Sequence, residues 1–197
     1  MRSHALVLAA GAGRRMGMPK ALVPGTDGEP WVARTVRVLR EGGCTAVTVV
    51  AGAAADQVAP LARAAGAGVV VADDWDQGMG ASMAAGMAAV ADGGVAGDLA
   101  ADVLVLMLVD LPDIGPSVVA RVLAAVEDRT NAREVVVRAA YAGVPGHPVV
   151  VGRAHWDDLA ATLHGDRGAR DWLAAREVAL VECGDLAGGQ DVDVKDG

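Results

Sequence analysis

Apolar runs of strand length recur along the chain, at 5–10, 46–51, 69–72, 103–109, 135–140, 149–151 and 178–181. Most are continuous and β-branched rather than alternating, the pattern of strands covered on both faces. Between them lie segments with apolar residues at helical spacing, over 31–40, 55–65, 81–90, 116–127, 155–163 and 170–176. The punctuation agrees: Asp56 stands near the start of its helix, Gly42-Gly43 and Gly66 close two others, and Pro116 fits a first turn after Gly115. Strands and helices alternate through residue 127. That order implies βαβ crossovers and predicts a three-layer, Rossmann-like α/β fold, its sheet largely parallel between helix layers. After Glu134 the strands come closer together, so an antiparallel portion is expected there. No repeat, low-complexity tract or linker divides the chain, which reads as one domain over 1–197. The Gly/Asp-rich stretch at 92–102 reads as a surface loop.

Composition narrows the picture. The chain is 53% apolar, yet no apolar stretch reaches the ~18–20 residues that cross a bilayer. The opening run could pass for a short signal peptide, but a glycine-rich loop follows at once and Arg14-Arg15 lie after the apolar residues, so it reads as a buried strand. Cys44 and Cys183 are too few for a disulfide framework and are not at metal-ligand spacing. They read as buried thiols of a cytoplasmic protein. A net charge of −8 leaves no basic surplus for nucleic acid, so a phosphate-bearing substrate must meet a local positive pocket. Neither a membrane nor a nucleic acid is an expected partner.

The segment Leu8-Ala9-Ala10-Gly11-Ala12-Gly13-Arg14-Arg15-Met16-Gly17-Met18-Pro19-Lys20 follows the first strand, where an open α/β sheet presents its ligand crevice. It is not a dinucleotide fingerprint, because Met16 occupies the third glycine position. Nor is it a P-loop, because Lys20 does not follow a glycine and Ala21 comes after it. Small residues over 8–13 let backbone N–H groups approach a polyphosphate, while Arg14 offers a fork for phosphate oxygens and Lys20 a point charge. Of 17 basic residues only Lys20 and Lys195 are lysine. A lysine inside this loop therefore hints that a compact ammonium is wanted there.

The loop resembles the Leu-Ala-Ala-Gly-x-Gly-x-Arg-Met-Gly-x-Pro-Lys signature of GT-A-type nucleotidyltransferases. It is most similar to the molybdenum-cofactor nucleotidyltransferases (MobA-like) and, among them, to the cytidylyltransferase branch. Further segments agree: 74–82 resembles that branch's N-P-x-W-x-x-G-M-G-x-S stretch, Gly146-His147-Pro148 its G-H-P motif, and 165–170 its G-D-x-G-A-R motif. Asp74 stands where the family has Asn. The resemblance implies a mostly parallel mixed sheet of GT-A type and a Mg²⁺-dependent enzyme that transfers a nucleoside monophosphate.

Two carboxylates are candidate Mg²⁺ ligands. The run 103–109 leads into Asp110-Leu111-Pro112-Asp113, and a carboxylate at the carboxyl end of a buried central strand faces the ligand crevice. The family also carries its metal-binding Asp at the position of Asp110. The resemblance further implies that Asp193 completes the metal site, although Val194-Lys195 replaces the family's Thr-Pro. Gly80 and Ser82 open a helix whose free N–H groups favour a nucleotide or its acceptor. His147, read here as a turn residue, is placed near the acceptor by the resemblance, and Arg170 is a candidate for acceptor phosphate.

The implied reaction is attack by an acceptor phosphate on the α-phosphorus of a triphosphate, with Arg14, Lys20 and Asp110 as the catalytic set. Molybdopterin is the implied acceptor and CTP the implied donor, because Ala10 matches the cytidylyl branch where the guanylyl branch has glycine. GTP, a sugar or polyol phosphate acceptor, and a non-catalytic cofactor carrier serving a molybdoenzyme or its chaperone remain the alternatives.

Overall fold

The computed structural model describes residues 1–93 and 101–192. The expectation for Asp193 and most of that for the loop at 92–102 fall outside the described residues. Seven strands form one sheet: β1 (Ser3–Ala9), β2 (Ala46–Ala51), β3 (Gly68–Val71), β4 (Val103–Leu108), β5 (Val136–Tyr141), β6 (Val144–Gly152) and β7 (Ala179–Glu182). Their order is β3-β2-β1-β4-β6-β5-β7. The pairs β1–β2, β2–β3, β1–β4 and β5–β7 are parallel, and β6 lies antiparallel between β4 and β5. The sheet is thus mostly parallel and mixed, with its antiparallel part after Glu134 as the strand spacing predicts.

The six helices are α1 (Trp31–Glu41), α2 (Ala55–Ala64), α3 (Met79–Ala91), α4 (Pro116–Glu127), α5 (Trp156–Ala160) and α6 (Arg170–Ala174). Strand alternation divides the core into two layers. Ala5, Val7 and Ala9 of β1 pack with α1, α2 and α4, while Leu6 packs with α3, α5 and α6 on the opposite face. Since β1 and β4 are covered on both sides, their residues are apolar at nearly every position, and this is why the runs read as continuous. Cys44 and Cys183 are buried free thiols. Burial pushes the Cys44 thiol up to about 12, so it stays protonated. No helix among the described residues is long and apolar enough to cross a membrane.

Two elements differ from the sequence pattern. Helix α5 covers only part of the expected 155–163 segment. Its end is marked by the Thr162 hydroxyl, which donates to the Leu159 carbonyl at 2.8 Å and competes with helical bonding. Strand β6 begins at Val144 rather than 149, so His147 is a strand residue and not a turn residue. The turn lies earlier, at Ala142-Gly143, where φ values of +50° and +78° close a tight hairpin. Pro145 and Pro148 masked this strand because proline ordinarily breaks the ladder.

Helix α3 lies close on the sheet because Gly86 has no side chain. A Cβ there would stand 2.5 Å from a Val50 methyl and 2.7 Å from a Leu6 methyl. Gly86→Val should therefore lower stability by about 1–3 kcal/mol through overpacking, read as a shift in the urea midpoint at unchanged slope.

Candidate active site

The site forms where β1 and β4 end together. Leu8 and Leu108 are direct partners across the parallel pair, so the chain leaves both strands at one end of the sheet. From β1 it enters the glycine-rich loop, and from β4 it runs through Val109 to Asp110. Between them lies a cavity of about 530 Å³, closed on a third side by the start of α3. Leu8, Ala9, Ala10, Gly11, Ala12, Gly13, Arg14, Lys20, Ser82 and Asp110 all line it.

Local chemistry shapes the loop. Gly13 has φ +61°, and a Cβ there would collide with the Met18 carbonyl oxygen, so the turn needs glycine at this position. The Met16 N–H donates to the Gly13 carbonyl at 2.9 Å and reverses the chain. A short 3₁₀ turn at Lys20–Leu22 then carries the lysine back over the strand ends. Its Nζ lies 2.7 Å from Asp110 Oδ2, with the two side chains only 20% and 14% exposed. In such a half-buried setting the two charges hold each other more firmly than a surface pair would. Arg14 is exposed at the mouth and has no hydrogen-bond partner among the described residues. The far rim is acidic, with Asp76 and Asp166.

Ser82 is buried, and its hydroxyl donates weakly to the Gly78 carbonyl at 3.5 Å. Gly80, expected at the nucleotide, is buried away from the cavity. A Cβ on it would stand 2.7 Å from the His164 backbone, so its glycine serves close packing of α3 against that segment.

A second cavity, of about 790 Å³, opens beside the first and shares Leu8, Met79 and Leu108 with it. Here the structure brings together His147 and Arg170, far apart in sequence, and adds Arg138, Arg167 and Arg176. Burial, and secondarily the charge of Arg138, pushes the His147 imidazole down to about 4, so it is neutral at pH 7. The C-terminal segment forms the outer edge of this cavity. The Gly188 and Gly189 N–H groups both donate to Asp113 Oδ2 at 2.8 Å, and the Val192 N–H donates to the Asp110 carbonyl at 3.1 Å. The described chain therefore ends beside Asp110, one residue before Asp193.

Sequence reasoning missed Arg138 and the clamp formed by Asp113. Arg138 did leave a signal, as the lone charge inside the apolar run 135–140. Asp113 left none, because its partners are backbone groups some 75 residues away.

Comparison with known proteins places the chain. Residues 5–180 match the family described as the MobA-like NTP transferase domain. A protein named nicotine blue oxidoreductase, from Paenarthrobacter nicotinovorans, is 35% identical over 95% of this chain and 90% of its own length. The crystal structure of Rv0371c from Mycobacterium tuberculosis H37Rv in complex with manganese is 28% identical. It superimposes with a TM-score of 0.69, covering 93% of this chain and 89% of that one. A nucleotidyl transferase from Methanothermobacter shares the fold at 23% identity, with a TM-score of 0.72 over 92% of this chain and 87% of its own.

The depressed His147 pKa has a consequence for stability. The unfolded chain takes up a proton near the ordinary value of 6.5 and the folded one only near 4, so the contribution is intact above about 6.5 and is lost as pH falls towards 4. His147→Gln should flatten that part of the profile relative to wild type, in urea unfolding measured at pH 7 and at pH 4.5.

Proposed function

Because this chain belongs to the MobA-like NTP transferase family, we propose that it transfers CMP from CTP to the phosphate of molybdopterin and releases pyrophosphate. The observation that carries the reading is the Lys20–Asp110 pair, which joins the glycine-rich loop to the end of β4 inside one cavity. A carrier that only held a cofactor would need no such pair facing a polyphosphate cradle.

The donor set fits a divalent cation of Mg²⁺ type. Among the described residues no group of three or more His, Cys, Asp or Glu could hold a metal, which suits an ion bound by one or two carboxylates and otherwise by substrate phosphates and water. Asp110 would hold it, with Asp193 as the second proposed ligand, and the manganese complex of the mycobacterial relative supports a divalent ion. Bound there, it would neutralise phosphate charge during transfer.

The chain's own residues do the rest. Backbone N–H groups over 10–13 face the triphosphate at close range, since Gly11 has open space where a Cβ would stand. Arg14 meets phosphate oxygens at the mouth, and Lys20 places a compact positive charge beside Asp110. An acceptor phosphate oxygen forms the new bond to the α-phosphorus, the bond to the β-phosphate oxygen breaks, and pyrophosphate leaves with that electron pair. The attacking phosphate is already ionised at neutral pH, so no general base is needed, and a neutral His147 is no obstacle. The second cavity, with His147 and Arg170 in its wall, is the proposed acceptor site, and Ser82 in the first cavity is a further proposed contact. Ala10, which lines the first cavity, is the proposed reason for cytosine over guanine.

One observation favours a different reading. A relative that matches nearly the whole chain bears the name of an oxidoreductase, which points to electron transfer on the same scaffold. The reactions separate cleanly in an assay. With CTP, Mg²⁺ and molybdopterin, wild-type protein should release pyrophosphate. Lys20→Ala and Asp110→Ala should each lose activity by on the order of 10²–10³-fold or more, with unchanged circular dichroism. Near-full activity in either variant would remove the site assignment. Redox turnover of nicotine blue, without pyrophosphate release, would establish the redox reading instead.

A further inference from the structure

The second cavity holds a charge that no described residue compensates. Arg138 projects from β5 on the sheet face that carries Val149 and Leu106, its lateral neighbours in register across β6 and β4. It is half-buried among these aliphatic side chains and forms no ion pair with any described residue. Its Nε donates to the Gly146 carbonyl at 3.0 Å, which fixes the guanidinium plane and leaves the two terminal nitrogens for another partner. Desolvation lowers its pKa, and no carboxylate among the described residues offsets that cost.

Two other arginines of the cavity differ. Arg167 is paired with Asp171 at 3.0 Å. Arg176 is paired with Asp158 and lies over the Trp172 ring. Asp191 is the only carboxylate among the described residues of the wall. A half-buried guanidinium without a counter-ion is costly to keep, and nothing in the packing around Arg138 requires a positive charge. The neighbouring His147 is neutral and supplies no anion either.

Position separates two groups. Arg138 stands two strand spacings to the side of β4, level with Leu106, whereas the junction with the first cavity lies further along β4 at Leu108. We propose that Arg138 is a specificity-determining anchor for the acceptor. The acceptor would then carry, at the end away from its reacting phosphate, a second group that is anionic or strongly hydrogen-bond-accepting. This rests on the reading that the second cavity takes the acceptor. Arg170, exposed at the rim, meets the nearer part of the molecule, and the planar fork of Arg138 reads the far end in a way an ammonium would not reproduce.

The test is calorimetric titration of wild type, Arg138→Met and Arg138→Lys with molybdopterin, alongside their Tm values and the CTP–Mg²⁺ shift in Tm. The dissociation constant should rise on the order of 10- to 100-fold in Arg138→Met, the loss of a charged hydrogen bond, and recover only in part in Arg138→Lys. The CTP-induced shift should be unchanged. The Tm of Arg138→Met should equal or exceed that of wild type, because an uncompensated charge has been removed. Wild-type affinity in Arg138→Met overturns the anchor, and so does a lower Tm in both variants, which is the mark of an arginine kept for structure. Inorganic phosphate, titrated in the same way, separates this inference from the acceptor named above. Phosphate binding that disappears with Arg138, beside no molybdopterin binding by wild type, retires that acceptor and keeps the anchor. Binding of neither molybdopterin nor inorganic phosphate by wild type overturns the anchor itself.

Discussion

The parallel pairing of β1 with β4 is the constraint from which the site follows. Both strands are buried on both faces, so neither can shift register without exposing apolar residues, and Leu8 stays opposite Leu108. Their chain exits are thereby fixed at one end of the sheet. The loop after β1 cannot continue outward, because Gly13 and the Met16–Gly13 bond turn it back over the strand ends. Lys20 is delivered to Asp110 as a result. The pair does not hold the fold together; the fold holds the pair.

Charge is distributed unevenly between the two cavities of this acidic protein. Against a net charge of −8, the first cavity sets Arg14, Arg15 and Lys20 against Asp76, Asp110 and Asp166. The second is lined by four arginines, with Asp191 as the sole carboxylate of its described wall. The two differ in a useful way. The balanced cavity suits a ligand that arrives with its own cation, as a nucleotide with a divalent ion does, whereas the basic one suits an anion that arrives alone. Leu8, Met79 and Leu108 line both, so the two cavities adjoin.

The family spans proteins whose names point to different chemistry, since a relative at 35% identity is named as an oxidoreductase. A shared scaffold does not by itself decide the reaction. Here the loop charges and Asp110 argue for phosphate chemistry, and the form of the loop argues against a dinucleotide bound in the Rossmann manner, because Met16 lies where close helix–strand packing needs glycine.

Much of this was legible in the chain itself. Continuous β-branched runs identified the buried strands, since a strand covered on both faces has no polar positions to interrupt it. The loop over 8–20 and Asp110 were readable for a related reason: both directly follow such strands, so their position depends on local sequence alone. Tertiary structure decided what local pattern does not encode. Strand β6 was partly hidden, because Pro145 and Pro148 pair in a hairpin set by the turn at Ala142-Gly143. Gly80 lies in a motif that suggests a ligand, yet it is required by the approach of the distant His164 backbone. Asp113 holds Gly188 and Gly189 across the sheet end, and Arg138 meets Arg170 in one cavity although β6, α5 and a turn lie between them. Sequence determined which segments are strands and which loops carry charge, because burial and backbone geometry act locally. Only the folded chain decided which charges share a cavity, because that depends on strand order and on where the antiparallel hairpin enters the sheet.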